Sequence, residues 1–291
     1  MNTEIFNRNN KNMLLPDFIL RSRQNELFTE SGLDTLKDCL DNTHYKNYPH
    51  QIEYKYNSRG YRDAEWPNTI TELQDAIWCF GDSFTVGIGS PLNHTWVNIL
   101  QSKCKQRCIN VSMDGASNNW IARKILTLLE EVNPKLIIIQ WSFIFRNEEC
   151  NTDLRDEDRR LQYYDLELSF TDLLVNFVNL VNQVEQKKQK TKIIHSFIPN
   201  WALDGVQKEW DKLRGPDWPI TPTNQLFPFI QQELTNFGMD KFFNIYCNLL
   251  DSIVYIPELI PLDIARDGFH YDVITSTNFV DKLVNLIDDL R

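Results

Sequence analysis

The stretch AIWCFGDSFTVGIGS, residues 76–90, is a short apolar run that stops at Gly81 and passes into a loop punctuated by Gly87 and Gly89. Five residues rich in Ile and aromatics predict a buried parallel strand. The loop then sits at a strand's carboxyl end, where open α/β sheets place their ligands. Two chemistries use that position. A phosphate cradle needs GxxxxGK followed by Ser or Thr, or GxGxxG; the spacing of Gly81, Gly87 and Gly89 fits neither, and no Lys or Arg occurs between residues 63 and 102. A nucleophile turn fits better: Gly81 permits a sharp turn, Asp82 can bind amides within it, and Ser83 projects at the sheet edge.

Outward from this loop, short apolar runs alternate with longer amphipathic ones, which predicts an α/β fold. Strands are expected at 76–80, 108–112, 135–141, 192–198 and 252–256, making a five-stranded parallel sheet, with helices at 94–103, 117–132, 168–188, 223–236 and 275–290. In the third helix Leu173, Leu174, Phe177, Leu180, Val181 and Val184 share one face, a core stripe. Residues 1–74 break the alternation and are expected to be an extension packed on the 75–291 domain, with one or two helices in 15–42. The stretch 199–223 carries Trp201, Trp210 and Trp218 in an extended loop, and loops of that length in compact domains are commonly functional.

Composition narrows the function classes. The 291 residues carry a formal net charge of −10, which argues against a nucleic-acid partner, because such affinity rests on Lys and Arg. Cys39, Cys79, Cys104, Cys108, Cys150 and Cys247 show neither CxxC spacing nor adjacent histidines, so reduced thiols are expected and no metal or other cofactor. No apolar run suits a signal peptide or a membrane span. A soluble, cytoplasmic chain is the expectation, with self-association or attachment to a larger particle through the extension left open.

A serine nucleophile needs a base, an orienting acid and amide donors for the oxyanion. Of five histidines, His44 and His50 lie in the extension, His94 opens a helix, and His195 falls inside an apolar strand as a core residue. His270, in LDIARDGFHYD (262–272), has Asp267 three residues before it: the acid can hold Nδ1 and leave Nε2 facing Ser83. In NVSMDGASNNW (110–120), Gly115 can turn an N–H towards an oxyanion, although DGASN is also an ordinary turn and helix cap. Five of the chain's ten glycines, Gly81, Gly87, Gly89, Gly115 and Gly268, fall in these three loops, which favours one assembled site.

These blocks, in this order, resemble the SGNH, or GDSL-like, hydrolase family over about residues 75–290. The resemblance implies a three-layer α/β/α sandwich with a flavodoxin-like sheet, and ester hydrolysis without metal or organic cofactor. Ser83 would attack an acyl carbonyl, His270 would carry the proton, Asp267 would orient His270, and the Ser83 and Gly115 amides would hold the oxyanion. One block departs: where the family carries GxND, this chain has Ser142 at the glycine and Ile144 at the asparagine, leaving Asn118, Ser142 or Arg146 as replacement donors. In YNSRGYRDAEWP, which resembles a stretch of members with N-terminal extensions, Arg62 either reaches the site or fixes the extension to the domain. The three tryptophans, with Arg146, are candidate substrate contacts, and O-acetyl groups on carbohydrate the preferred substrate. Acyl transfer to a sugar hydroxyl and a non-catalytic binding or assembly role are the alternatives.

Overall fold

The computed structural model describes residues 14–144, 146–147, 162–163, 170–199, 249, 252–256 and 259–290. In chain order the strands are β1 (Leu27–Phe28), β2 (Tyr54–Lys55), β3 (Ile77–Gly81), β4 (Cys108–Ser112), β5 (Leu136–Trp141), β6 (Arg146–Asn147), β7 (Gln162–Tyr163) and β8 (Lys192–Phe197). The helices are α1 (Thr43–Asn47), α2 (Ile70–Asp75), α3 (Ser83–Val86), α4 (Trp96–Cys104), α5 (Asn118–Glu131), α6 (Phe170–Lys187) and α7 (Val273–Leu290).

The central sheet is parallel, in the order β4-β3-β5-β8. Its strands are apolar on both faces, as strands covered by helices on two sides must be: all five residues of β3 and of β4 are buried. Right-handed crossovers decide the layers. The connection from β3 through α4 moves one way along the sheet, and those through α5 and α6 move the other. The two sets of helices therefore cover opposite faces. Packing agrees: α4 meets α7 through Trp96 and Phe279, ring centroids 5.3 Å apart, and α6 lays Phe177 on Trp141 of β5 at 5.3 Å. The register sets Gly81 beside Ser112, so the loops leaving β3 and β4 begin level with each other.

Two expectations need correction. The fifth strand, 252–256, is reduced to one parallel bridge between His195 and Tyr255, so the described sheet has four strands. Only His195 reaches it, through its N–H to Val254 O and its carbonyl to the N–H of Ile256, both 2.8 Å; Pro257 follows in the sequence and has no N–H for a ladder. Residues 15–42 form no α-helix. Leu15, Asn25 and Gly32 have left-handed backbone (φ 56°, 57° and 58°), and the segment runs as turns with a short 3-10 helix at Arg21–Arg23 and the antiparallel pair β1–β2. The helix expected at 223–236 lies outside the described residues.

Residues 14–66 are built into the rest. Phe18 lies edge-on to Trp66 and Trp78 at 6.0 and 6.2 Å. Arg62 is 1% exposed and gives Nη1 to the carbonyls of Val86 and Gly87 (3.1 and 2.6 Å) and Nη2 to those of Glu53 and Ser90 (3.1 and 2.8 Å), with its guanidinium 4.3 Å over the Tyr54 ring. Of its two expected roles, it takes the second: it fixes this segment to the loop that follows Ser83. Among the described residues no helix is long and apolar enough to cross a membrane.

Candidate active site

The turn that carries Ser83 begins where β3 ends. Asp82 is the N-cap of α3, accepting the Phe84 N–H on Oδ1 at 3.0 Å, and Gly87 closes that single turn in left-handed backbone at φ 75°. Ser83 is thereby the first residue of a helix, where N–H groups have no intrahelical acceptor.

From the opposite end of the chain comes the turn Ala265–His270, closed by Gly268 N–H to Ala265 O and Ala265 N–H to His270 O, both 2.8 Å. His270 Nδ1 lies 2.5 Å from Asp267 Oδ2, and Nε2 lies 2.8 Å from Ser83 Oγ. With the carboxylate able only to accept, Nδ1 carries the hydrogen and Nε2 takes the hydroxyl proton. Asp267 Oδ1 also accepts the N–H groups of Phe269 and His270, at 3.0 and 3.1 Å. Burial pushes the Asp267 carboxyl up, but the His270 charge and hydrogen bond, with these two N–H groups, outweigh it and hold its pKa below the ordinary 3.8. Ser83, Asp267 and His270 are at most 2% exposed, so their charges act in a medium poor in water. Phe84 and Phe269 flank the imidazole, with centroids 4.5 and 5.1 Å away.

The sign of the resulting pH effect follows. A folded-state pKa below the unfolded 3.8 gives stability that is present above 3.8 and lost as pH falls through the folded value. Asp267→Asn is expected to flatten this acid arm of unfolding free energy against pH, measured by urea melts from pH 5 downward; an unchanged arm would remove Asp267 as its source.

Gly89 lies against this acid. Its φ is +80°, and a Cβ there would come 2.7 Å from Asp267 Oδ1 and 2.8 Å from the Ala265 Cβ. For a hydrolase built on this site, Gly89→Ala is expected to push Asp267 off His270 and lower kcat/KM by about 100-fold, as displacements of about 1 Å do. Steady-state kinetics on the folded variant would show it, and a loss under two-fold would refute it.

Gly115, at φ 72°, lies in the turn after β4, which is fastened beside the nucleophile turn by Met113 N–H to Gly81 O at 3.4 Å. The three candidate replacement donors bond to one another and to Asp82. Asn118 Nδ2 donates to the carbonyls of Ser142 and Phe143 (3.2 and 3.0 Å), while its Oδ1 takes the Ser142 N–H at 2.9 Å. Ser142 Oγ donates to Asp82 Oδ2 at 2.6 Å, and Arg146 Nη1 reaches the same oxygen at 2.8 Å. These residues brace the turn that carries Ser83: one Asp82 oxygen caps α3 and the other is held by the segment after β5. An acid followed by a serine identifies the cap in the sequence, but nothing there marks Arg146 as its partner 64 positions away.

Ile144 is buried in the main core and supplies no donor. Trp201, Trp210 and Trp218 lie outside the described residues. His195 is the core residue expected: Trp141 Nε1 donates to its Nδ1 at 3.0 Å, which leaves Nε2–H for Glu185 at 3.0 Å. Cys39, Cys79, Cys104 and Cys108 are free thiols. Among the described residues no group of three or more His, Cys, Asp or Glu side chains is arranged to hold a metal ion.

No family profile and no curated protein matches the sequence. Among solved structures, the chain is similar to a GDSL-like lipase from Bacteroides thetaiotaomicron (10% identity over 76% of this chain and 91% of that one, TM-score 0.41). It is also similar to a carbohydrate esterase family 2 enzyme with a carbohydrate-binding domain from Corynascus thermopiles (13%, 77% and 67%, 0.41) and to a psychrotrophic esterase from Pseudoalteromonas (17%, 74% and 98%, 0.38).

Proposed function

We propose that the protein is a serine ester hydrolase of the SGNH kind. The observation that carries this reading is the continuous line Ser83 Oγ, His270, Asp267, with links of 2.8 and 2.5 Å, assembled from two turns 187 residues apart. Hydrogen bonding alone does not select that order of hydroxyl, imidazole and buried carboxylate; nucleophilic catalysis does.

Ser83 Oγ attacks the acyl carbon as its proton passes to His270 Nε2. The carbonyl oxygen takes the negative charge and is met by the N–H groups of Ser83 and Gly115. His270 then protonates the departing alcohol, leaving an acyl-serine. Water repeats the sequence: its proton goes to Nε2 and its oxygen to the acyl carbon, then the acyl–Oγ bond breaks as Nε2 returns the proton to Ser83 Oγ and the carboxylic acid leaves. Throughout, Asp267 keeps Nδ1 protonated and stabilises the imidazolium. With the family's asparagine position filled by Ile144, the oxyanion would have two donors, and a missing third costs about 10²- to 10³-fold in rate. A modest kcat is the corollary.

O-acetyl groups on carbohydrate are the preferred substrate, a preference supported by the tryptophan-rich sequence of 199–223. The deciding experiment combines p-nitrophenyl acetate turnover with a fluorophosphonate probe located by mass spectrometry. Label on Ser83, with turnover that scales with the unlabelled fraction, is the expected result; absence of both would overturn the reading.

A further inference from the structure

The segment before β3 touches both halves of the triad at once, through a closed ring of hydrogen bonds. Arg266, the residue before the acid, gives Nε to Asp34 Oδ1 at 2.8 Å and Nη2 to Asp34 Oδ2 at 2.5 Å. Tyr54 Oη donates to Asp34 Oδ2 at 2.6 Å and accepts the Gly89 N–H at 2.8 Å. The ring closes through Arg266 N–H to Gly89 O, 2.8 Å. Both the N–H and the carbonyl of Gly89, in the loop that follows Ser83, are therefore fixed by it, and so are the backbone and side chain of Arg266.

Asp34 and Tyr54 are fully buried, and Arg266 is 13% exposed. A bidentate carboxylate–guanidinium pair shielded in this way holds its geometry more rigidly than a surface pair. Burial, together with the nearby Asp267 charge, raises the Asp34 pKa against the opposing pull of Arg266 and Tyr54, which places the two carboxylates within each other's field. The Gly89 α-carbon is packed on Asp267, so any shift of that peptide reaches the acid directly.

We infer that Asp34 and Tyr54 are positioning residues for the triad, holding the nucleophile loop and the acid–base turn in register so that Nε2 meets Ser83 Oγ. This rests on the ester-hydrolase reading of the site. The segment that carries them is thus part of the active-site framework, although it supplies no reacting group.

The test is Tyr54→Phe, which removes one oxygen from the ring, keeps the aromatic ring beneath Arg62, and strands no charge. With p-nitrophenyl acetate and active sites counted by fluorophosphonate, kcat is expected to fall about 10-fold while KM stays within about two-fold, since the substrate pocket is untouched and the reacting groups are displaced. Asp34→Asn is expected to show the same split. The low-field proton resonance of the His270 Nδ1–H···Asp267 hydrogen bond provides a readout that needs no turnover: it shifts or broadens in Tyr54→Phe if the ring positions the turn. An unchanged kcat or an unchanged resonance in both variants would overturn the inference. A parent protein without Ser83-dependent turnover would defeat the hydrolase reading instead, and the resonance would still decide the role of the ring.

Discussion

Ser83→Ala is expected to lower kcat for p-nitrophenyl acetate by about 10⁴- to 10⁶-fold, and His270→Ala by about as much, because the two act as one unit. The double variant should lose little beyond either single one. This non-additivity is the sharper test. If Ser83 and His270 served the reaction independently, their effects would multiply. Stability should barely move in Ser83→Ala, since the hydroxyl's hydrogen bond is to His270 Nε2 and one such bond contributes about 1 kcal/mol. Activity within ten-fold of the parent in either folded single variant would show that turnover arises elsewhere.

The largest effect on stability is expected at Arg62. Its side chain satisfies four backbone carbonyls in the interior, has no salt-bridge partner among the described residues, and stacks on Tyr54. Burial lowers its pKa, yet the carbonyl dipoles and the aromatic face compensate in part for the water it has lost. Arg62→Ala strips the guanidinium from those carbonyls, of which Gly87 O keeps the Ser90 N–H at 3.2 Å, and opens a cavity among them. A loss of about 3–5 kcal/mol in urea unfolding is expected, with a fall of about 10 °C in Tm. Arg62→Lys should recover only part, because one ammonium cannot span four acceptors aligned to a planar fork. A loss under about 1 kcal/mol in Arg62→Ala would mean that water replaces the guanidinium and that the clamp holds nothing.

Four strands of the sheet and the Asp267–His270 hydrogen bond were legible in the sequence because local rules govern them. Continuous apolar runs announced β3, β4, β5 and β8, and the spacing of Asp267 and His270 within one turn made their hydrogen bond a matter of local geometry. Bonds between distant segments could not be read in the same way. Asp34 and Arg266 are 232 residues apart, and Asp82 and Arg146 are 64 apart. Each is an ordinary surface-type charge until the fold brings its partner to it. Nor could the sequence of 15–42 reveal that Leu15 and Asn25 take left-handed backbone, since their helix-compatible composition is overridden by contacts with Arg59 and Asn57 far along the chain. The hydrogen bonds that tie Asn118 to Ser142, and Ser142 and Arg146 to Asp82, join separate segments in the same way.

The Arg266–Asp34 pairing also orders events during synthesis. Asp34 precedes its arginine by 232 residues, so the pair cannot form until that whole stretch has been made. Closing a chain segment of that length is slow and entropically costly, and it cannot precede the sheet that brings the two ends together. Residues 77–197 can therefore complete the sheet and display Ser83 at its edge while Asp267 and His270 are still untranslated, so the line from Ser83 to Asp267 closes only after the sheet has formed.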